Sequence, residues 1–514
     1  MRLARILTAA SLVAVAACSG SSHHSSLSAG SPATAAPTSS NGAGASTSPA
    51  TAAGTPAPTG GPTASGAPGS GAPGSGAPGS GAPGSGAPAA GAPATPPPAI
   101  SADWPTYHRT NDRAGNALGA TRPSKLSKRW EAGLDGAVYG QPLVVGGMIL
   151  AATENDTVYA LDAASGSVRW RSHLATPVAR AALQCGNIDP LGITGTPAYD
   201  PATGSLFVVT EATGGVHTLV ALDVRTGRTR FTRNLDVTTR DRLTEQERGA
   251  LAVANGRVYI PFGGLYGDCG DYVGYVAAVA TDGSGSVAHY EVPTAREGGI
   301  WAPPGPSVGA DGAVFVAVGN GEATSGAYDG SDAVVKLAAD LSRRVDFFAP
   351  KSWASENASD ADLGSTGPLL LPGNLAVIAG KGDTAYLVDT GHLGGIGGQV
   401  ASFKGCTGFG GMAADGSVAF LPCSEGVTRV DVSGRALHVG WKAPSSITGT
   451  PVVGGGAVWT LDTGGGVLHV LDEGSGAELA SISVGAVTRF TSPTVVGSSV
   501  FVGTSKSVVA ITAA

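Results

Sequence analysis

Basic residues, helical periodicity and the familiar cysteine motifs are all scarce in this chain. Lysine and arginine together number 31 in 514 residues and are scattered along the chain. No basic stripe is therefore available to follow a phosphate backbone, and nucleic acid is not an expected partner. The formal net charge is −7, a mildly acidic balance. Amphipathic helical stretches are nearly absent, and Thr239 to Arg248 is the one segment that reads as a short helix. No Cys-x-x-Cys-His haem attachment and no Cys-x-x-Cys zinc pattern occurs. No Ser-His-Asp set assembles, so a hydrolase is not expected. The N-terminal apolar run, Ile6 to Ala17, falls short of the roughly 20 residues that span a bilayer.

That run has a different use. Arg2 and Arg5 precede it and small residues follow it, the order of an export signal. Its end, Val15-Ala16-Ala17-Cys18, resembles the lipobox of bacterial lipoproteins, which implies cleavage before Cys18 and lipidation of that cysteine. Five cysteines in an oxidising compartment would leave one thiol unpaired; lipid on Cys18 leaves Cys185, Cys269, Cys406 and Cys423, enough for two disulfides. Residues 19–100 are almost entirely Ala, Gly, Pro, Ser and Thr, with a Gly-Ser-Gly-Ala-Pro repeat between Gly69 and Pro88. Such a composition buries too little apolar surface to offset the entropy of ordering it. It reads as a tether with a reach on the order of 50 Å, and the His23-His24 pair inside it carries no metal expectation. The expected organisation is a lipoprotein signal over 1–18, a tether over 19–100 and a folded domain over 101–514, held outside the cytoplasm on the cell membrane as a monomer.

The folded part is written in short β-branched runs divided by Gly, Asp and Asn turns, the pattern of an all-β domain. "VYALDAASGSVRW" (158–170) recurs as "LVALDVRTGRTRF" (219–231), with weaker echoes at 427–441 and 468–480. In both strong copies a strand ends at Asp162 or Asp223, whose carboxylate can bond the turn amides. Gly166 or Gly227 then supplies a positive φ, and the next strand ends on Trp170 or Phe231. A second marker sets the period. Gly-Gln-Pro at 140–142, Gly-Thr-Pro at 195–197, Gly-Ala-Leu at 249–251 and Pro-Gly-Pro at 304–306 each begin a pair of strands. So do Gly-Pro at 367–368, Gly-Gly-Met at 410–412, Gly-Thr-Pro at 449–451 and Thr-Ser-Pro at 491–493. Eight starts at this spacing suit four-stranded propeller blades. The last has room for three strands, and "LSKRWEAGL" (126–134) supplies a fourth, closing the ring and removing its open edges. The expected fold is an eight-bladed β-propeller, with seven blades as the alternative.

The repeated turn resembles the tryptophan-docking motif of the PQQ-repeat propeller superfamily, over nearly all of residues 126–514. That superfamily includes quinoprotein alcohol dehydrogenases, with PQQ and Ca²⁺ in the propeller axis, and cofactor-free scaffold lipoproteins. The resemblance implies roles for particular residues. Trp301 stands where a tryptophan underlies the quinone, and Asn320 where a Gly-Asn pair supplies a calcium ligand. Asp360 or Asp362 matches the catalytic, calcium-binding aspartate, and Lys381 the lysine that reaches the quinone carbonyls. A flat aromatic offers a stacking face, hard oxygens suit calcium, and a carboxylate can take an alcohol proton. Two departures stand against transfer. The family's adjacent cysteines are represented by Cys185 alone, and its calcium-binding glutamate is missing near 266–275, where Asp268 and Asp271 are the nearest carboxylates. In a propeller, loops between blades and turns between second and third strands open on one face. Cys185 and Cys406 fall in the first kind of loop, Cys269 and Cys423 in or beside the second, which predicts bridges Cys185–Cys269 and Cys406–Cys423. Glu154-Asn155, His217, Glu322 and the loop from Thr324 to Asp332 are expected to line the mouth of an axial pocket on that face. The leading expectation is a ligand- or protein-binding propeller lipoprotein. The alternative is a PQQ- and Ca²⁺-dependent alcohol or sugar dehydrogenase.

Overall fold

The computed structural model describes residues 103–514; the expectations for Cys18, for His23-His24, for the signal and for the tether lie outside the described residues. Eight antiparallel sheets follow one another along the chain, each starting where the sequence markers place it. The innermost strands are Leu143–Val145, Ala198–Asp200, Ala252–Ala254, Ser307–Val308, Leu369–Leu371, Ala413–Asp415, Val452–Gly454 and Thr494–Val496. The fold is an eight-bladed β-propeller. Its last blade is completed by Leu126–Gly133, which pairs antiparallel with Ser507–Ala513, so the ring closes as the sequence predicts. Two sheets carry a fifth short strand: Glu245–Gln246 pairs with Gly263 and Gly264, and Gly395–Ile396 runs parallel to Arg344–Ala349.

Burial follows strand position within the blade. Met148–Thr153, second from the axis in blade one, is buried at every residue, whereas the outer strand Val168–His173 alternates exposed and half-buried side chains. Inner strands are sandwiched on both faces by the neighbouring blades and so read as continuous apolar runs. The core therefore lies between sheets, as where Phe207 and Ala221 of blade two meet Ile260 and Ala277 of blade three.

The repeated turn works as a dock for the preceding blade. Asp162 Oδ1 accepts from the amides of Ala164 and Ser165 at 3.0 and 2.9 Å, and Gly166 takes φ +74°. The indole of Trp130, on the outer strand of blade eight, lies against Gly166 and donates to Ala163 O at 3.2 Å. Trp170 docks in the same way on Gly227, donating to Val224 O at 3.0 Å, and Trp441 on Gly476, donating to Glu473 O at 2.9 Å. Phe231 lies on Gly283 without the hydrogen bond its type cannot make.

A segment the repeats do not account for ties the ring together. Residues 104–121 pass the eight blades in order, bonding to each. Trp104 N donates to Val144 O at 2.7 Å, Tyr199 N to Pro105 O at 2.8 Å, and Asn111 Nδ2 to Val253 O at 2.8 Å. The circuit continues with Val308 N to Asn111 O at 2.8 Å, Leu370 N to Asp112 O at 3.1 Å and Ala414 N to Ala114 O at 2.7 Å. It ends with Ala117 N to Val453 O at 2.7 Å and Thr121 N to Gly497 O at 2.9 Å. Arg113 is buried at its centre, bonded to the carbonyls of Tyr107, Leu251 and Pro306.

One element differs from expectation. Thr239 to Arg248 is not a helix but turns leading into Glu245–Gln246. Thr244, Glu245, Gln246 and Glu247 are buried in succession, which a helix with one inward stripe cannot achieve. The α-helix among the described residues is Trp353–Ser359, which buries Trp353, Glu356 and Asn357 at helical spacing.

Candidate functional site

Trp301 is set by three glycines. Gly298 donates to Asn320 O at 2.7 Å and Gly319 to Gly299 O at 2.9 Å, drawing two chain segments together beneath the indole. The ring lies so close to Gly299 and Gly319 that a Cβ on either would come within 2.0 and 2.3 Å of it. No other residue type leaves room for the ring in that position. The indole forms one wall of a cavity of about 420 Å³, reached by Lys381, Asp360 and Asp268.

Lys381 Nζ lies between Asp360 Oδ1 at 2.5 Å and Asp362 Oδ2 at 2.7 Å. Asp360 closes the helix Trp353–Ser359 in a left-handed conformation, φ 51°, and this turns its carboxylate back toward Lys381. Asp362 is wholly buried beneath the cavity wall; burial pushes its carboxyl up, against the pull of Lys381. Burial works against the Lys381 ammonium too, but Asp362 and Asp360 more than offset it and hold the ammonium above its ordinary value. Asp268 is also pushed up by burial, and accepts the Tyr272 hydroxyl at 2.6 Å.

Two bridges pin this face. Cys185–Cys269 and Cys406–Cys423 both form, as expected. The first joins the loop holding Asn187 and Ile188 to the loop holding Tyr266, Gly267 and Asp268, and all five of these residues line the cavity.

The sequence matches one family over part of its length, and the shape matches solved propellers more widely. A family profile described as "Outer membrane protein assembly factor BamB" matches residues 114–320. A comparison with curated proteins finds no significant match. Among solved structures, the quinohemoprotein alcohol dehydrogenase from Comamonas testosteroni superposes with a TM-score of 0.65 at 15% identity, over 80% of this chain and 81% of that one. A europium-containing methanol dehydrogenase gives 0.62 at 14% identity, over 80% and 98%. BamB from Moraxella catarrhalis gives 0.52 at 15% identity, over 75% and 97%. Residues 114–320 match that repeat family, and the domain shares the propeller fold of the quinoprotein dehydrogenases.

In this propeller the predicted site residues part company. Trp301, Asp268, Asp360 and Lys381 share the cavity, with Asp362 directly behind. Asn320 is buried outside it: Nδ2 donates to Glu297 Oε2 at 3.1 Å and Oδ1 has no partner. Asp271 points to solvent and pairs with Arg240 at 2.7 Å. Among the described residues no three His, Cys, Asp or Glu side chains gather as an ion would require. The cavity, by contrast, has a flat aromatic wall and cationic groups around it.

None of the residues expected at the mouth of the pocket lines the cavity. Glu154 and His217 are buried, Asn155 bonds to Asp135 at 3.1 Å, and Glu322 is exposed elsewhere. In the Thr324 to Asp332 loop, Tyr328 stacks on Phe347 with centroids 5.1 Å apart, folding the loop back over its own blade. Glu154 and His217 instead belong to a buried acidic group with Asp156, Glu211 and Glu247. Burial pushes Glu154 and Asp156 up to about 8 and Glu247 well above the usual carboxylate range. Burial works against the His217 imidazolium, but Asp236 at 3.0 Å and Glu211 raise it to about 10.

The cavity residues that sequence reasoning missed had a signal. Tyr139, Thr194, Arg248, Pro303, Phe409 and Phe490 each immediately precede a blade-start marker, and all six line the cavity. The chain enters each blade from the loop-rich face, so the residue before the marker is held at the axis.

Proposed function

We propose that this chain is an extracytoplasmic lipoprotein, anchored through Cys18, that binds a small organic ligand in the axial cavity of its loop-rich face. The observation that carries this reading is Trp301, laid on Gly299 and Gly319 as one wall of an axial cavity of about 420 Å³. Concave pockets of this size, walled by aromatic side chains and carrying placed polar groups, are how proteins hold small ligands. The anchor rests on the sequence around Cys18.

A second reading, a PQQ-dependent alcohol or sugar dehydrogenase, is favoured by one observation: Trp301, Asp360 and Lys381 border the same space. PQQ, when bound, would supply the electron sink for oxidising a hydroxyl. Asp360 is the carboxylate bordering that space that could take the hydroxyl proton, and Lys381 holds it in place. Calcium does not fit. Lys381 already stands between Asp360 and Asp362, and Asp271 is turned away.

Titrating PQQ into residues 101–514, with and without Ca²⁺, separates the readings through tryptophan fluorescence with Trp301→Ala as control. The ligand-binding reading expects saturable quenching that Ca²⁺ does not change and Trp301→Ala loses. Calcium-dependent quenching together with dye-linked alcohol oxidation would favour the dehydrogenase. Absence of quenching in folded protein would remove PQQ from both. Membrane fractionation of the full chain beside Cys18→Ala tests the anchor; equal membrane retention would refute it.

A further inference from the structure

Basic residues that lie far apart in the sequence are gathered by the ring onto one side wall. The outer strand of blade eight carries Lys128 and Arg129, that of blade one Arg169 and Arg171, and that of blade two Arg230 and Arg233. All but the half-buried Arg233 are exposed, and Arg225 and Arg228 add two exposed guanidiniums in the outer turn of blade two. The outer strands on either side, Ala288–Glu291 in blade three and Glu478–Ser483 in blade seven, hold no lysine or arginine. Glu131, Asp162 and Asp223 pair with Lys128, Arg169 and Arg230. Among the described residues Arg129, Arg171, Arg225, Arg228 and Arg233 have no carboxylate within ion-pair distance. The formal charge of −7 does not describe this wall, because Glu154, Asp156, Glu211 and Glu247 are buried inside the ring.

The N-terminal chain joins the domain at the middle of this arc. Gly146 N donates to Asp103 Oδ1 at 3.0 Å and Trp104 N to Val144 O at 2.7 Å, both in blade one. Ala163 N donates to Gly147 O at 3.0 Å, which sets that junction beside the turn leading into Arg169 and Arg171. Resting on the membrane-anchor reading above, we propose that this arc docks the domain side-on against the anionic phospholipid headgroups of the membrane that holds Cys18. Basic side chains act together at such a surface over a Debye length, about 10 Å at 0.1 M salt, and guanidinium forks suit phosphate oxygens. The wall is convex, and its aromatics Trp130, Trp170 and Phe231 are laid on the turns of the next blade. It therefore offers a single-stranded nucleic acid neither a groove nor a stacking platform. Docked this way, the ring axis runs parallel to the membrane, and the Trp301 cavity opens along the surface rather than away from it.

Co-sedimentation of residues 101–514 with lipid vesicles at about 0.1 M salt tests the arc. Vesicles of phosphatidylcholine alone are compared with vesicles of equal parts phosphatidylcholine and phosphatidylglycerol. Binding is expected to the anionic vesicles only, and should be lost in about 1 M salt. Arg171→Gln and Arg228→Gln should each weaken it about fivefold, while Lys404→Gln, on the outer strand of blade five across the ring, leaves it unchanged. This protein lacks Cys18, so the result stands apart from the lipid anchor. A wash in about 1 M salt likewise strips the arc's contribution from the Cys18→Ala fractionation and leaves the anchor's own. No binding to anionic vesicles, equal binding to both kinds, or equal losses for all three variants overturns the proposal. Retention on duplex DNA without retention on vesicles also overturns it and assigns the arc to a soluble polyanion.

Discussion

Gly299 is the smallest residue with the largest consequence for the site. A methyl group there would stand 2.0 Å from the Trp301 ring, so Gly299→Ala must displace the indole. The expected outcome is a destabilisation of about 1–3 kcal/mol by overpacking, together with loss of ligand binding, read by denaturant melts and titration. A second residue-scale prediction concerns Asp156, buried with neither carboxylate oxygen bonded. Its folded-state value of about 8, like that of Glu154, lies above the unfolded one. Raised acids stabilise fully only below their unfolded values, and that contribution is lost as pH rises toward 8. His217, raised to about 10, contributes fully below 6.5 and loses its contribution between 6.5 and 10. Asp236 is lowered, so its contribution is intact throughout that window. The two signs that act there agree, and the melting temperature should fall steadily from pH 5 to pH 9. Asp156→Asn, which mimics the protonated acid, should flatten the lower part of that slope; an unchanged profile would contradict the assignment.

At the scale of the blade, stability passes between sheets through the docked aromatics. Trp170 is fixed by its hydrogen bond to Val224 O and by a glycine that takes φ +68°, so neither partner tolerates exchange. Trp170→Ala should cost about 3 kcal/mol, typical of large aromatic deletions from packed sites. Gly227→Ala should cost a comparable amount through strain and contact with the ring, and the double variant should cost clearly less than the sum. Additive losses in chemical denaturation would show that the two do not form one unit. This unit was legible in the sequence because Asp, Gly and the aromatic fall at fixed offsets in 158–170 and 219–231. So were the eight blade starts, the ring-closing strand and both disulfides, since each follows from the order of loops around a ring. The false helix at Thr239 to Arg248 came from reading polar residues as exposed when the ring buries Glu245 and Glu247. Trp301 and Lys381 could be placed by resemblance. The expected mouth residues failed because polarity alone does not tell a loop tip from a buried carboxylate.

For the whole molecule, the strap is the feature local patterns could not disclose. Residues 104–121 have no strand periodicity, and their partners are spread from Val144 to Gly497. A chain beginning at residue 124 keeps the closing strand but loses the strap's bonds to every blade. It should melt well below residues 101–514 and in a broader transition; equal melting would show the ring to be self-sufficient. With the ring closed by one strand and bound by the strap, the loop-rich face is a rigid frame around the Trp301 cavity. That this cavity is a ligand site is the central claim. Native mass spectrometry of the full chain purified from its own cells, beside Trp301→Ala, tests it most directly. The account predicts a small bound mass on the wild type that the variant lacks. A ligand-free mass for both would contradict it.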